Sequence, residues 1–288
     1  MNYRTLSSIV CAPANLAAKI EIIVTEPSQT EMVESMYGNF HCWRDDLTTR
    51  QLRQFSAHTR NELAMLRHIV RPGDNVIDIG AHIGTFAIPM ARFVGEQGKV
   101  YAIEGCPDNF SLLEKNIACN LFEGSIEAHN GIVSEKATFF MQRCADSENT
   151  GSHYFLPGEG SDGTDGINID HWLNAIAREK TIDLVKIDIE GAELSALRSA
   201  RQLIADQHPT LYIEIASQQL QRFGHSIGDI EQFFEPMGYH YFRNIGRRNS
   251  NDDSFEIAPL AQLTDGGSFF DLLAVHPSSA HYPRIGAS

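Results

Sequence analysis

The stretch "VIDIGAHIGTF", residues 76–86, combines the pattern of a strand with the start of a helix. Its short apolar run is typical of a buried strand, and the residues that follow, "GTFAIPMARFVG", are typical of a helix. The glycines between them permit positive φ and let a ligand approach the backbone closely. The free N–H groups at the start of the helix attract a negatively charged group. The stretch therefore predicts a strand, a turn and a helix, with a ligand bound at the turn.

Strand and helix patterns alternate along the rest of the chain. This alternation predicts βαβ units, a parallel sheet and helices on both of its faces. We expect an N-terminal extension over residues 1–58, one α/β domain over 59–277 and a short tail over 278–288. The extension contains one predicted strand, "KIEIIV", at residues 19–24. The main predicted elements of the domain are the strands "KVYAIEG", "IEAHNGIV", "IDLVKIDI", "TLYIEIA", "YHYFR" and "SFFDLLAVH" and the helices "PDNFSLLEKNIACNL", "NIDHWLNAIAREK" and "GAELSALRSARQLIADQ".

Composition excludes several classes of partner. The formal net charge of -14 argues against binding to a nucleic-acid backbone or an anionic membrane surface, because both require clustered Lys and Arg. No apolar run is long enough to span a membrane. The first twenty residues make a poor signal peptide, because Pro13 and Asn15 interrupt their apolar stretch. The five cysteines show no zinc-site spacing, so we expect reduced thiols in a cytoplasmic protein.

Two acidic residues follow the first two strands of the domain. Asp78 can hold an ammonium group, and Glu104 can bind both hydroxyls of a ribose. The glycine spacing G-A-H-I-G lacks the close pair of the dinucleotide fingerprint G-x-G-x-x-G, which disfavours a pyrophosphate. An adenosine that carries an amino acid fits better, and this indicates S-adenosylmethionine. The alternative is that Asp78 caps the helix and Glu104 is a surface acid.

Four motifs together resemble those of the FkbM family of class I methyltransferases. They are "VIDIGAHIGTF", "YAIEGCPDNFSLLEKN", "HNGIVS" and "IDLVKIDIEGAELSAL", within residues 62–275. The resemblance implies an α/β, doubly wound, Rossmann-like, mostly parallel seven-stranded sheet with a reversed last strand. It also implies that S-adenosylmethionine is bound and that sugars or natural products are O-methylated. The cofactor-lining residues that it implies are Asp78, Gly80, His82, Gly84, Glu104 and Asn130, with His82 where relatives often carry Asn.

Charged residues alternate at the end of the fourth predicted strand. Lys186, Asp188 and Glu190 would share one face of a strand, at the edge where such sheets bind ligands. Asp188 and Glu190, with Glu214 behind them, are candidates for the base that deprotonates an acceptor hydroxyl. The same carboxylates can instead hold a divalent cation. A third interpretation is structural: Lys186 pairs with Asp188, and Glu190 caps the next helix.

A glycine-rich segment, residues 148–166, contains five glycines. Long loops in compact α/β domains are usually functional or disordered. The segment is therefore either a flexible surface loop or a lid, in which Tyr154 or Phe155 covers bound substrate.

These observations predict an O-methyltransferase whose partner is a small-molecule or glycan acceptor, with neither nucleic acid nor membrane involved. The alternatives are an N-methyltransferase acting on an amino acid or peptide, a nicotinamide-dependent oxidoreductase and a non-enzymatic cofactor-binding protein. The N-P-P-[YF] motif is absent. The sequence carries no signal that identifies the acceptor or the oligomeric state.

Overall fold

The computed structural model describes residues 29–135, 138–142, 149–157, 164–176, 180–246 and 251–285. The strand predicted at residues 19–24 lies outside these ranges. The described chain begins with a β-hairpin and two helices, which precede the first strand of the central sheet. They are β1 (Thr30–Ser35), β2 (Gly38–Trp43), α1 (Leu47–Phe55) and α2 (Arg60–Ile69).

The remaining elements alternate as the sequence predicts. The strands are β3 (Asn75–Ile79), β4 (Lys99–Glu104), β5 (Ile126–Asn130), β6 (Ile132–Val133), β7 (Thr138–Gln142), β8 (Tyr154–Pro157), β9 (Thr164–Ile167), β10 (Leu184–Ile187), β11 (Thr210–Ala216), β12 (His240–Asn244), β13 (Ile257–Leu260) and β14 (Phe269–Val275). The helices are α3 (Ala87–Val94), α4 (Pro107–Cys119), α5 (Ile169–Ile176), α6 (Glu193–Ser199), α7 (Arg201–Gln207), α8 (Ser217–Arg222), α9 (Ile227–Phe234) and α10 (Tyr282–Ile285).

The central sheet has the order β13-β12-β14-β11-β10-β3-β4-β5. The five strands from β11 to β5 are parallel, whereas β14 runs antiparallel to both of its neighbours. This confirms the predicted fold class, a doubly wound and mostly parallel sheet with a reversed last strand. An eighth strand, β13, which the sequence did not indicate, is added to the expected seven because it pairs antiparallel with β12 at the edge.

The core lies on both faces of this sheet. Val76 and Ile77 are both completely buried, and they belong to two different apolar clusters because successive side chains point to opposite faces. Helices α2, α3 and α4 cover one face, and α6, α7 and α9 contribute to the other. The chain leaves β3 for β4 and β5 on one side and later returns to β10 on the other, so ligands are expected beyond the carboxyl ends of β3 and β10.

The helix predicted over residues 191–207 is wrong in one respect, because Ala200 divides it into α6 and α7. The reason is a side chain from α5. Asp170 accepts hydrogen bonds from the backbone N–H groups of Gln202 and Leu203, each at 2.9 Å. These contacts satisfy donors that a continuous helix would bond internally, so a new helix starts there.

The glycine-rich segment is partly regular. A second sheet has the order β6-β9-β7-β8 and includes residues 154–157 and 164–167. These parts are therefore not a plain surface loop, while residues 148 and 158–163 lie outside the described ranges. The predicted mobility of the segment and its closure on substrate stay predictions.

Both ends of the described chain pack against the domain. Asn116 of α4 exchanges two hydrogen bonds with the backbone of His41 in the hairpin, at 2.6 and 3.1 Å. Near the other end, the ring of His281 contacts Asp74 and Thr210, each at 2.9 Å. The division at residues 58 and 277 stays a prediction. No helix within the described ranges has the length and apolar character of a membrane span.

Candidate active site

A cavity of about 350 Å³ opens at the carboxyl ends of the central strands. This volume lies in the range of sites for small molecules. Residues that follow β3, β4 and β10 line it, together with Glu214 of β11. The N-terminal region and the glycine-rich segment also contribute. Their lining residues are Leu47, Thr48, Gln51, His58, Thr59, Asn149, Thr150, Gly151, His153 and Phe155.

The turn after β3 requires glycine at position 80. Gly80 has φ +81°, and a Cβ atom there would lie 1.9 Å from the carbonyl oxygen of Asp188. No residue larger than glycine fits at this position. Glycine therefore lets the turn after β3 pack against the end of β10. His82 also has a positive φ, +52°, and lines the cavity. Gly84 does not line it; its φ is +94°, and a Cβ there would meet Leu113 at 2.9 Å, so this glycine allows helix packing.

Glu104, the last residue of β4, is the acceptor next to this turn. One carboxylate oxygen accepts the backbone N–H of His82 at 2.8 Å, and the other accepts that of Cys106 at 2.7 Å. Burial raises the pKa of Glu104 to about 7, and the two backbone hydrogen bonds act in the opposite direction. Each oxygen keeps lone-pair capacity for a further donor. The site thus offers a ligand two oriented acceptors on one side chain.

Asp78 faces a different cation from the one predicted. It is completely buried and does not line the cavity, and its carboxylate lies 3.3 Å from the ammonium of Lys186, its cross-strand neighbour. Lys186 also donates to the carbonyl oxygen of Gly80 at 3.0 Å and lies 3.6 Å from Asp188. The geometry therefore favours a structural role for Asp78, and its predicted contact with a cofactor ammonium gains no support.

The three predicted catalytic carboxylates come together. Asp188, Glu190 and Glu214 line the cavity, and each provides one oxygen within 4.8 Å of the other two. Burial raises the pKa of Glu190 to about 8, and the charges of Asp188 and Glu214 add to this shift. Carboxylates are ligands that divalent cations prefer. Beyond this set of donors nothing among the described residues indicates a cation, which stays a prediction.

The alternation predicted for this strand holds only in part. Strand β10 ends at Ile187, and Glu190 lies in the following turn with φ +59°. The predicted ion pair between Lys186 and Asp188 is present. Glu190 does not cap the next helix, because α6 begins after Ala192 and no side chain of the described residues caps it; Glu193, its first residue, accepts the backbone N–H of Gly191 at 2.9 Å. The side chain of Glu190 accepts a hydrogen bond from Gln219 instead.

Asn130 lies beside the cavity. Its side-chain amide donates to the backbone carbonyl of Glu104 at 2.7 Å, which joins the ends of β4 and β5. Asn130 is exposed and is not among the residues that line the cavity. Its predicted contact with the cofactor stays a prediction, and the structure gives it a role in holding Glu104.

The sequence missed the contribution of the N-terminal region and of Thr150. Asp46 caps helix α1 by accepting the N–H of Thr48 at 2.8 Å, and it also accepts two hydrogen bonds from Thr150. The capping pattern of Asp46 is visible in "DDLTT". The partner of its second oxygen is 104 residues away, and no local pattern reveals it.

A doubly wound sheet with a reversed last strand, and a polar cavity at the carboxyl ends of its strands, is the architecture of the class I S-adenosylmethionine-dependent methyltransferases. Residues 78–241 match the methyltransferase FkbM domain, which is more than half of the chain. The protein therefore belongs to the FkbM family of methyltransferases.

Solved structures with similar folds include methyltransferase FkbM from Methylobacillus flagellatus, at 18% identity and a TM-score of 0.46 over 74% of this chain. The present chain spans half of the length of that protein (50%). A SAM-dependent methyltransferase from Aquifex aeolicus has 14% identity and a TM-score of 0.43, over 80% of this chain and 93% of that one. TYW2 from M. jannaschii, in complex with AdoMet, has 14% identity and a TM-score of 0.44, over 88% and 89%. A search of curated protein sequences gave no significant match.

Proposed function

We propose that this protein transfers the methyl group of S-adenosylmethionine to a hydroxyl group of a sugar or natural-product small molecule. The observation that carries this proposal is the convergence of Asp188, Glu190 and Glu214, whose oxygens lie within 4.8 Å, on the cavity that Glu104 also lines. A hydroxyl is a poor nucleophile, so a base within hydrogen-bond reach accelerates its methylation.

The residues around the cavity fit this cofactor. Glu104 has lone pairs for two ribose hydroxyls, because each oxygen has accepted only one backbone N–H. Gly80 lets the turn after β3 pack against the carbonyl oxygen of Asp188, and residues of both segments line the cavity. The bound cofactor supplies a methyl group on a cationic sulfur. The chain's task is to align the acceptor with that methyl group, exclude water and remove the acceptor's proton.

Asp188 is the proposed base and Glu190 a proton donor. Because the pKa of Glu190 is about 8, this side chain holds its proton at neutral pH. It then donates to an oxygen of the acceptor, while Asp188 accepts the proton of the reacting hydroxyl. The cofactor, when bound, would supply the methyl carbon to which the hydroxyl oxygen bonds, and its sulfur would keep the electrons of the broken carbon–sulfur bond. A donor beside a base suits an acceptor with two neighbouring hydroxyls.

Methylation of an amine is the weaker alternative at this site. Neighbouring carboxylates raise the pKa of an amine and keep it as an ammonium ion, which has no lone pair for attack. A hydroxyl is uncharged at neutral pH and keeps its lone pairs, so it can attack while one carboxylate within hydrogen-bond reach accepts its proton. The acidic surroundings therefore favour oxygen over nitrogen as the acceptor atom.

The proposal is tested with cofactor that carries a labelled methyl group and a panel of sugars, hydroxylated natural products and amines. We expect label in a hydroxylated compound. With that acceptor, Asp188→Asn should lower kcat roughly 10²- to 10⁴-fold, the usual contribution of general-base catalysis. Its melting temperature should change little, because Lys186 keeps Asp78 as a partner. Asp206→Asn, an exposed site on α7, is the matched control.

Full specific activity in a folded Asp188→Asn, Glu190→Gln double variant would sink the base assignment. Loss of activity with a chelator, restored by Mg²⁺ or Mn²⁺, would assign the carboxylates to a cation instead. Label found only in amines would replace the hydroxyl by a nitrogen acceptor.

A further inference from the structure

A continuous chain of hydrogen bonds connects the N-terminal region to the proposed cofactor turn. Asp46, at the start of α1, accepts from the backbone N–H of Thr150 at 2.7 Å and from its hydroxyl at 3.0 Å. The hydroxyl of Thr150 lies 2.9 Å from Nε2 of His82, and the backbone N–H of His82 donates to Glu104. Four residues from four separate segments thus form one polar path.

Thr150 is held firmly in this path. Asp46 is 2% exposed, and its other oxygen caps α1 through the N–H of Thr48. Asn109 of α4 donates to the carbonyl oxygen of Thr150 at 3.2 Å. The backbone N–H, the carbonyl and the hydroxyl of Thr150 are therefore all engaged, and its side chain has one orientation available.

This arrangement determines which nitrogen of His82 carries hydrogen. A carboxylate only accepts hydrogen bonds, so the single hydroxyl proton of Thr150 goes to Asp46. The Thr150 oxygen must then accept from His82, which places a hydrogen on Nε2. Burial lowers the pKa of His82 to about 4, so the ring is neutral at pH 7. In a neutral ring with hydrogen on Nε2, Nδ1 is an acceptor.

The acceptor nitrogen, Nδ1, belongs to a side chain at the wall of the cavity. His82 lines the cavity, and within the described part of the chain its Nδ1 makes no hydrogen bond. The carboxylate of Glu104, which accepts the backbone N–H of His82, lines the same cavity. A part of a ligand that carries several hydrogen-bond donors would meet both acceptors together.

We propose that Asp46 and Thr150 are positioning residues that fix the tautomer of His82, so that Nδ1 accepts a hydrogen bond from an ammonium or hydroxyl group of the bound cofactor. This rests on the proposed use of S-adenosylmethionine. It gives the N-terminal region a specific part in cofactor recognition, through Asp46. It also assigns His82 an accepting role.

The first test is the tautomer itself, measured from the ¹⁵N shifts of the histidine rings at neutral pH, with His82→Asn used to assign the signals. We expect hydrogen on Nε2 of His82. Thr150→Val removes the hydroxyl at nearly constant volume, and hydrogen should then appear on Nδ1 in part of the molecules. Hydrogen on Nδ1 in the unaltered protein would overturn the inference without any variant.

The second test is the affinity for S-adenosylmethionine by calorimetric titration. Thr150→Val should weaken binding roughly three- to tenfold, the range of one hydrogen bond. Thr264→Val, at an exposed site that does not line the cavity, should bind as the unaltered protein does. In a His82→Asn background the amide supplies an acceptor without a tautomer, so Thr150→Val should have less effect there.

The outcomes separate this inference from the proposed function. Failure of the unaltered protein to bind S-adenosylmethionine would contradict the proposed function itself. Normal binding, with neither the His82 tautomer nor the affinity altered by Thr150→Val, would overturn only the positioning role. The same loss of affinity with and without the His82→Asn substitution would also overturn it, because Thr150 would then act independently of the ring.

Discussion

The affinity for S-adenosylmethionine should fall about tenfold between pH 8 and pH 6, because the Glu104 carboxylate, the proposed acceptor of the ribose hydroxyls, has a pKa of about 7. About nine tenths of this group is ionised at pH 8 and about one tenth at pH 6, so the binding free energy loses about 1.4 kcal/mol. A protonated carboxyl group must spend one oxygen as a donor, and it no longer matches two hydroxyl donors.

Calorimetric titration at pH 6, 7 and 8 measures this, with Glu104→Gln as the comparison. Glutamine keeps only one of the two acceptor oxygens, so the variant should bind roughly 1.5 kcal/mol more weakly at pH 8. Because glutamine does not titrate, the variant should also lose the part of the pH dependence due to Glu104. The cofactor's amino group, Glu190 and Glu193 can also titrate near this range, and the comparison removes their common contribution. Glu123→Gln, at an exposed site, is the control and should match the unaltered protein.

Equal pH dependence in the unaltered protein and in Glu104→Gln would show that Glu104 is not the titrating acceptor.

The raised pKa of Glu104 also predicts how the stability of the cofactor-free protein changes with pH. Because burial raises the pKa of Glu104 from 4.5 to about 7, the folded state binds this proton more tightly than the unfolded chain does. The free energy of unfolding should therefore decrease as pH rises from about 4.5 to about 7.

Two further substitutions test the geometry of the turn and of the carboxylates. Gly80→Ala should lower the melting temperature more than Gly73→Ala does. Both glycines have positive φ, but only at Gly80 would an added Cβ atom clash, because it would lie 1.9 Å from the carbonyl oxygen of Asp188. Equal losses in the two variants would contradict this. Glu190→Gln should stabilise the protein more at pH 9 than at pH 6, each compared with the unaltered protein at the same pH. The reason is that buried Glu190 loses its proton as the pH passes about 8, which destabilises the folded state, whereas glutamine stays neutral. Melting temperatures of Glu190→Gln and of the exposed control Glu235→Gln at both pH values check this, and identical pH profiles would exclude the assigned pKa.

The sequence predicts those parts of the fold and the site that depend on local pattern. The apolar run that ends at Asp78, the glycines of the turn and the acid at position 104 are visible without any tertiary information. In a parallel sheet the ends of neighbouring strands meet at one edge, and this predicts that Glu104 and Asp188 share a site. The cavity contains both of them.

Other features depend on contacts between distant segments. Asp78 lies opposite Lys186 in the register of β3 and β10, and only the folded sheet fixes this pairing. Asp78, which the sequence predicts to bind the cofactor, therefore forms an ion pair with Lys186 instead. The hydrogen bonds that Thr150 donates to Asp46 connect two segments whose sequences show no hydrophobic periodicity. Ala200 ends α6 because Asp170, on another helix, supplies acceptors there. In each case the contact depends on a single polar side chain, and hydrophobic periodicity in the sequence does not predict such contacts.

One calorimetric titration tests whether this cavity binds S-adenosylmethionine through Glu104. The unaltered protein should bind S-adenosylmethionine with one site per chain and should not bind NAD, because the G-A-H-I-G turn lacks the close glycine pair for a pyrophosphate. Glu104→Ala should weaken that binding by roughly 1.5–3 kcal/mol. Unchanged affinity in a folded Glu104→Ala protein, or binding of NAD in preference to S-adenosylmethionine, would contradict the account.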